Sequence, residues 1–276
     1  MKKNGSVVLL FFIFFIGLSL LLYPSFADWW NSFHQSRAVA SYIEQVANMD
    51  DDRYREIWDA AWEYNRSLVD RPNDYLLDDE QKVHYNALLD VGSNGIIGYI
   101  EIPKIDIVYP IYHGTDEAVL QVAIGHLEWT SLPVGGKSSH CVISGHRGLP
   151  SARLFTDLDL MEEGDTFLLR VLDEVLTYEV DQILIVEPHE TEALLIVEDE
   201  DLCTLVTCTP YGVNSHRMLV RGHRVENAKM PTVRRITADA VQIDPLIAAP
   251  FVAAPMLLIL LIILLIPKPK RKKEEL

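Results

Sequence analysis

The sequence predicts a mainly β domain, a barrel or a sandwich, entered through helices and held between two membrane segments. Three observations predict it. Long uncharged runs lie near both ends beside lysines. Residues before 96 repeat their apolar positions at helical spacing. From Ile96 onward the chain breaks into short β-branched runs punctuated by Gly and Pro, the signature of an all-β barrel or sandwich.

The ends come first. Val7 to Tyr23 is an uncharged run of 17 residues preceded by Lys2 and Lys3, so residues 1–27 read as a signal peptide or an uncleaved anchor. Ser25-Phe26-Ala27 offers the small-residue spacing that a signal peptidase reads. Leu246 to Ile266 is an apolar run of 21 residues; at ~1.5 Å rise per residue it spans a hydrocarbon core of ~30 Å. The basic tail 267–276 follows it directly. Basic flanks stay in the cytoplasm, which puts both termini inside, unless the N-terminal segment is cleaved, and the region between them outside the cell membrane.

The full chain of 276 residues has a formal net charge of −16. Seven of its 24 Lys/Arg lie in the two ends against two of its 40 Asp/Glu, which leaves 17 basic and 38 acidic residues between. Such a domain repels nucleic acid and anionic lipid surfaces, and neither is an expected partner. Three cysteines, Cys141, Cys203 and Cys208, are too few and odd in number for a disulfide scaffold.

Residues 28–95 read as helical. Val39, Tyr42, Ile43 and Val46 recur at helical spacing, and Asp50 or Asp51 is placed to cap a second helix. Along that helix Tyr54, Ile57, Ala61, Tyr64 and Leu68 form a stripe, read as a packing face. The stretch "DRPNDYLLDDEQKVHYNALLDVGSNG" has the composition of a loop. Residues 96–228 carry the strands. "IGYIEI" ends at Pro103; "FLLRVL" and "VLTYEVDQILIV" form a hairpin around Asp173-Glu174; "CTLVTC" and "RMLVRG" are two more. A loop with a short helix fits 154–160. Residues 229–245 are a tether to the 246–266 span.

Three positions carry candidate chemistry. Cys208 ends an apolar strand just before Thr209-Pro210, and proline cannot continue a ladder, so the thiol sits at a sheet rim. A cysteine in an apolar strand is ordinarily core packing, as expected for Cys141 and for Cys203, which has the opposite parity on the same strand. His146, in "VISGHRGLP", follows another strand and supplies an imidazole able to exchange a proton near neutral pH; a loop histidine without a role is the alternative. Arg217 begins the strand after the Cys208 loop. A hairpin would return it to the Cys208 end, where a guanidinium can hold an oxyanion or a substrate backbone; a surface arginine is the alternative, and His216 and Arg221 compete with it. No metal-ligand spacing, phosphate loop or dinucleotide fingerprint occurs.

Taken together, "SGHRGLP", "TLVTCTPYGVNSHR" and the two anchors resemble the class C, pilin-type sortases. "GYIEIPKI", "PIYHGTDEAVLQVAIGH", "SLPVGG", "LFTDLD" and "YEVDQILIVEP" match further blocks of that family in order, over about Asn65 to Ile266. The resemblance implies an eight-stranded sortase β-barrel over 96–228 and a Gram-positive cell membrane. It makes Cys208 the nucleophile, His146 the acid/base and Arg217 the oxyanion or substrate-orienting group, with Thr207 lining the substrate site. It implies no cofactor and no metal. The implied partners are pilin or surface-protein substrates with a Leu-Pro-x-Thr-Gly-like sorting signal, joined through a thioacyl enzyme to a lysine amine; anchoring of surface proteins to the cell wall is the alternative. The family's N-terminal lid carries an Asp-x-aromatic motif. Here Tyr75 is the candidate aromatic, and the acid stands at Asp74 instead of two residues before it.

Overall fold

The computed structural model describes residues 3–69 and 76–227. The lid candidates Asp74 and Tyr75, the 229–245 tether, the 246–266 span and the 267–276 tail lie outside the described residues. Helix α1 spans Lys3–Ala47. Its part up to Phe26 belongs to one compact unit, and Ala27–Met230 forms another. Among the described residues α1 is the one helix long and apolar enough to cross a membrane, a property it would share with a signal sequence.

In the second unit, side chains of α1 fasten it to the β domain. Asn31 Nδ2 donates to the Ser151 carbonyl at 2.8 Å, and Asp28 Oδ1 accepts from the Arg153 N–H at 2.8 Å. Val39 and Tyr42 are buried as expected, and the Tyr42 hydroxyl accepts from the Leu172 N–H at 2.8 Å. Ile43 instead stays exposed. Helix α2 spans Asp51–Val69. Asp50 is its cap, accepting from the Arg53 N–H at 2.9 Å, which satisfies one of the orphan donors of the first turn. Ala61, Tyr64 and Leu68 are buried, with Tyr54 and Ile57 packed partly against the same core.

The segment read as a loop contains a helix. Helix α3, Asp79–Ala87, opens with a capping box in which Asp78 Oδ1 accepts from the Gln81 N–H and Gln81 Oε1 accepts from the Asp78 N–H. One residue anchors it: Tyr85 is fully buried, and its hydroxyl lies 2.8 Å from His126 Nδ1. His126 Nε2 faces the Ser131 carbonyl at 2.8 Å. Nε2 therefore carries the proton, and Nδ1 accepts from the tyrosine.

Eight strands follow: β1 Ile96–Ile102, β2 Ile107–His113, β3 Ile124–His126, β4 Ser139–Ser144, β5 Thr166–Val171, β6 Glu174–Val186, β7 Asp201–Thr209 and β8 His216–Val225. A single-turn helix α4, Glu117–Leu120, precedes β3. The strands close a barrel in the order β1-β2-β3-β4-β7-β8-β6-β5. β2–β3 and β4–β7 are parallel, and the other pairs are antiparallel. Closure gives every strand a neighbour on both sides, although β3 pairs with β2 and β4 over only a few residues. The expected short helix near 154–160 is a 3-10 turn at Leu158–Leu160.

Side chains alternate across each strand, and that alternation sorts them into two apolar clusters. Ile143, Leu205, Val220 and Phe167 belong to the main core. Val142, Leu219 and Leu194 form a second cluster, with Val206, Leu184, Val186 and Trp129 packed against it. The strand neighbours Val142/Ile143, Leu205/Val206 and Leu219/Val220 therefore face opposite ways. The second cluster lies beneath the β6–β7 connection, which His140 pins down: its Nδ1 meets the Leu195 carbonyl at 2.8 Å and its Nε2 meets Thr204 Oγ1 at 2.7 Å.

Candidate active site

The ends of β7 and β8 bring Cys208 and Arg217 onto one rung, and β4, the strand beside β7, ends two residues before His146. Cys208 and Arg217 are directly opposed partners in the β7–β8 ladder, as the hairpin argument requires. Strand β7 runs one residue beyond the expected stop, because Thr209 still pairs with His216; Pro210, joined to Thr209 through a cis peptide bond, ends it. On the other side of β7, Ser144 of β4 is level with Val206. The ladder continues through the Gly145 N–H, which donates to the Val206 carbonyl at 3.0 Å. His146 follows Gly145 directly, in the loop that leaves the end of β4.

Cys208, His146 and Arg217 are all half-buried. By parity Cys208 shares the face of Val206, and Arg217 shares the face of Leu219, so both stand beside the second apolar cluster. Cys141 and Cys203 contrast with them. They are register partners in the main core, and burial pushes the Cys203 thiol well above its usual range, which leaves it without the thiolate that cysteine chemistry needs. The competing arginine is accounted for as well. Arg221 is held by both oxygens of Asp181 at 3.0 Å, whereas Arg217 Nη1 donates to the carbonyls of Asn214 and His216 in its own turn.

Thr207 differs from the expectation. It is 1% exposed, and its hydroxyl donates to the Gly145 carbonyl at 2.8 Å. Alternation turns it inward, away from the face that Cys208 shares. It joins the Cys208 strand to the residue before His146 rather than offering a surface to substrate.

The loop beyond His146 is tied down residue by residue. The His146 carbonyl accepts from the Phe155 N–H at 3.1 Å. The Gly148 N–H donates to Thr156 Oγ1 at 3.1 Å. Gly148 has a positive φ of 77° and lies under the Tyr211 ring, where an added Cβ would fall 2.9 Å from a ring carbon; glycine is the residue that meets both demands. Among the described residues no group of three or more His, Cys, Asp or Glu is arranged to hold a metal ion.

A sortase domain model matches residues 100–225. Sortase C1 from Streptococcus agalactiae is 50% identical, with a TM-score of 0.68, over 70% of this chain and all of that chain. The chain belongs to the sortase family. Several of its solved neighbours are class C sortases, among them Streptococcus pneumoniae sortase C, 45% identical with a TM-score of 0.61 over 69% of this chain and 97% of that one. Bacillus subtilis Sortase D is 30% identical over 131 residues, 46% of this chain and 63% of its own. This sortase thus spans under two thirds of that curated relative. The matched segment of 100–225 contains Cys208, His146 and Arg217 and all of β2 to β8.

Proposed function

We propose that this sortase is a membrane-tethered cysteine transpeptidase that joins pilin subunits, with Cys208 as nucleophile, His146 as acid/base and Arg217 as the group that holds the oxyanion or substrate backbone. One observation carries the reading. Arg217, Cys208 and the β4 extension leading to His146 lie side by side at one barrel end, next to an apolar face.

The chemistry follows from those neighbours. The Cys208 sulfur attacks the Thr carbonyl of a Leu-Pro-x-Thr-Gly-like signal. The Thr–Gly bond breaks, His146 gives a proton to the departing glycine amine, and a thioacyl enzyme remains. A lysine amine of a second pilin then attacks the thioester. His146 takes its proton, the sulfur leaves, and an isopeptide bond forms. In both steps the Arg217 guanidinium faces the developing oxyanion. Support for a sorting signal comes from a Clostridium perfringens sortase C, 39% identical, solved with a C-terminal cell wall sorting motif. Support for pilins comes from the pneumococcal enzyme, whose structure is described in terms of pilin substrate specificity. The apolar part of α1 supports a tether that keeps the barrel at the membrane.

The test is the product. Full-length enzyme incubated with a sorting-signal pilin and a second pilin should yield a covalent dimer whose cross-linked peptide contains Thr joined to a lysine ε-amine. A product carrying only a cell-wall amine would replace this reading with wall anchoring.

A further inference from the structure

We propose that Arg147 is the positioning residue that sets His146 against Cys208, an inference resting on the Cys208–His146 chemistry proposed above. Arg147 follows His146 directly, and its side chain is 10% exposed. It touches three separate pieces of the site end. Its backbone belongs to the His146 loop. Its Nη1 donates to Thr209 Oγ1 at 3.4 Å, on the residue after Cys208. Its Nη2 is bound to the Asp159 carboxylate in the 3-10 turn that closes the loop.

The guanidinium is therefore a cross-brace. It holds the loop's entry, through Arg147 itself, and its exit, through Asp159, against the end of β7. The Thr207–Gly145 bond fixes the loop one residue before His146, and Arg147 fixes it one residue after. The backbone on both sides of His146 is thus held, with each brace landing on a neighbour of Cys208. A planar fork with several fixed donors can brace two acceptors at once, and a lysine ammonium on a flexible stem does so poorly. The energetic reason is also visible. A nearly buried guanidinium is retained where its partners are fixed, and placement errors of about 1 Å between reacting groups cost on the order of a hundredfold in rate.

The experiment reads Cys208 itself. Cys141 and Cys203 are buried in the core, so alkylation of the folded full-length protein by iodoacetamide, followed by intact mass, reports on Cys208. The variants are H146A, R147M, R147K and D159N, each checked for a native melting transition. The inference predicts that R147M slows alkylation about tenfold or more, toward the H146A rate. R147K falls between R147M and wild type, and D159N shifts in the same direction by less. Combining R147M with D159N adds nothing to R147M alone. In steady-state peptide cleavage R147M lowers kcat and leaves KM near wild type. Should R147M fail to fold, D159N carries the test, because its carboxylate is partly exposed and only the brace is lost. Wild-type alkylation rates in R147K, or in both R147M and D159N, with H146A slow, would overturn the bracing role. A wild-type rate in H146A itself would instead overturn the Cys–His reading.

Discussion

Strand β7 presents two thiols to two different worlds. Cys203 faces the barrel core, packed opposite Cys141 and fully buried. Cys208, five residues on, faces the other way at the strand's end, half-buried and opposed to Arg217. The two differ in parity and in distance from the strand terminus, not in residue type. The exposure of each thiol is thus set by the ladder: alternation chooses the face, and the approaching Pro210 chooses the depth.

The largest effect that would break or sharpen this contrast comes from paired alanine substitutions. Cys208→Ala should reduce transpeptidation to background, at least about a thousandfold as for loss of a nucleophile, with a stability change within about 0.5 kcal/mol. Cys203→Ala should do the reverse, leaving a cavity that costs about 1–3 kcal/mol in a denaturant melt while turnover per folded molecule stays near wild type. A Cys203→Ala enzyme that is stable but inactive would erase the distinction.

A smaller effect concerns acid. His140 on β4 is held neutral, its pKa lowered to about 4 by burial, with Arg221 acting in the same direction and the Leu195 carbonyl and Asp181 opposing it. His113 is likewise lowered to about 4 by burial. Unfolded histidines bind protons below about pH 6.5, and these two do not until about pH 4. The unfolded state therefore takes up more protons as pH falls through that window. Stability is fully present above it and lost on acidification, by about 3 kcal/mol per histidine at the bottom. His140→Gln should flatten the fall in unfolding free energy between pH 7 and pH 4.5. It should also loosen the β6–β7 connection, seen as faster amide exchange near Leu195. An unchanged pH slope in that variant would remove His140 from the account.

Much of the barrel was legible from local pattern. The β5–β6 hairpin could be read around Asp173-Glu174, and the β7–β8 return predicted that Arg217 would meet Cys208. What escaped has physical causes. Helix α3 was hidden by turn-forming residues, although Asp78-x-x-Gln81 is a capping-box spacing that signals it. Strand β2 contains Pro110, and β3 has three residues, so neither displays a period. The parallel pairing of β4 with β7 joins segments some 60 residues apart, beyond any local signal. That pairing is also what makes Thr207 a brace: its partner Gly145 becomes a neighbour only in three dimensions. Arg147 gave no sign of its own, because its acceptors Thr209 and Asp159 meet it only once the loop closes.

The most direct test is to trap the covalent enzyme. Full-length protein mixed with a Leu-Pro-x-Thr-Gly peptide, quenched in acid and digested, should yield one acylated peptide carrying the substrate through Thr on Cys208, absent after Cys208→Ala and strongly reduced after His146→Ala. Acylation at Cys141 or Cys203, or peptide cleavage that persists without Cys208, would contradict the account.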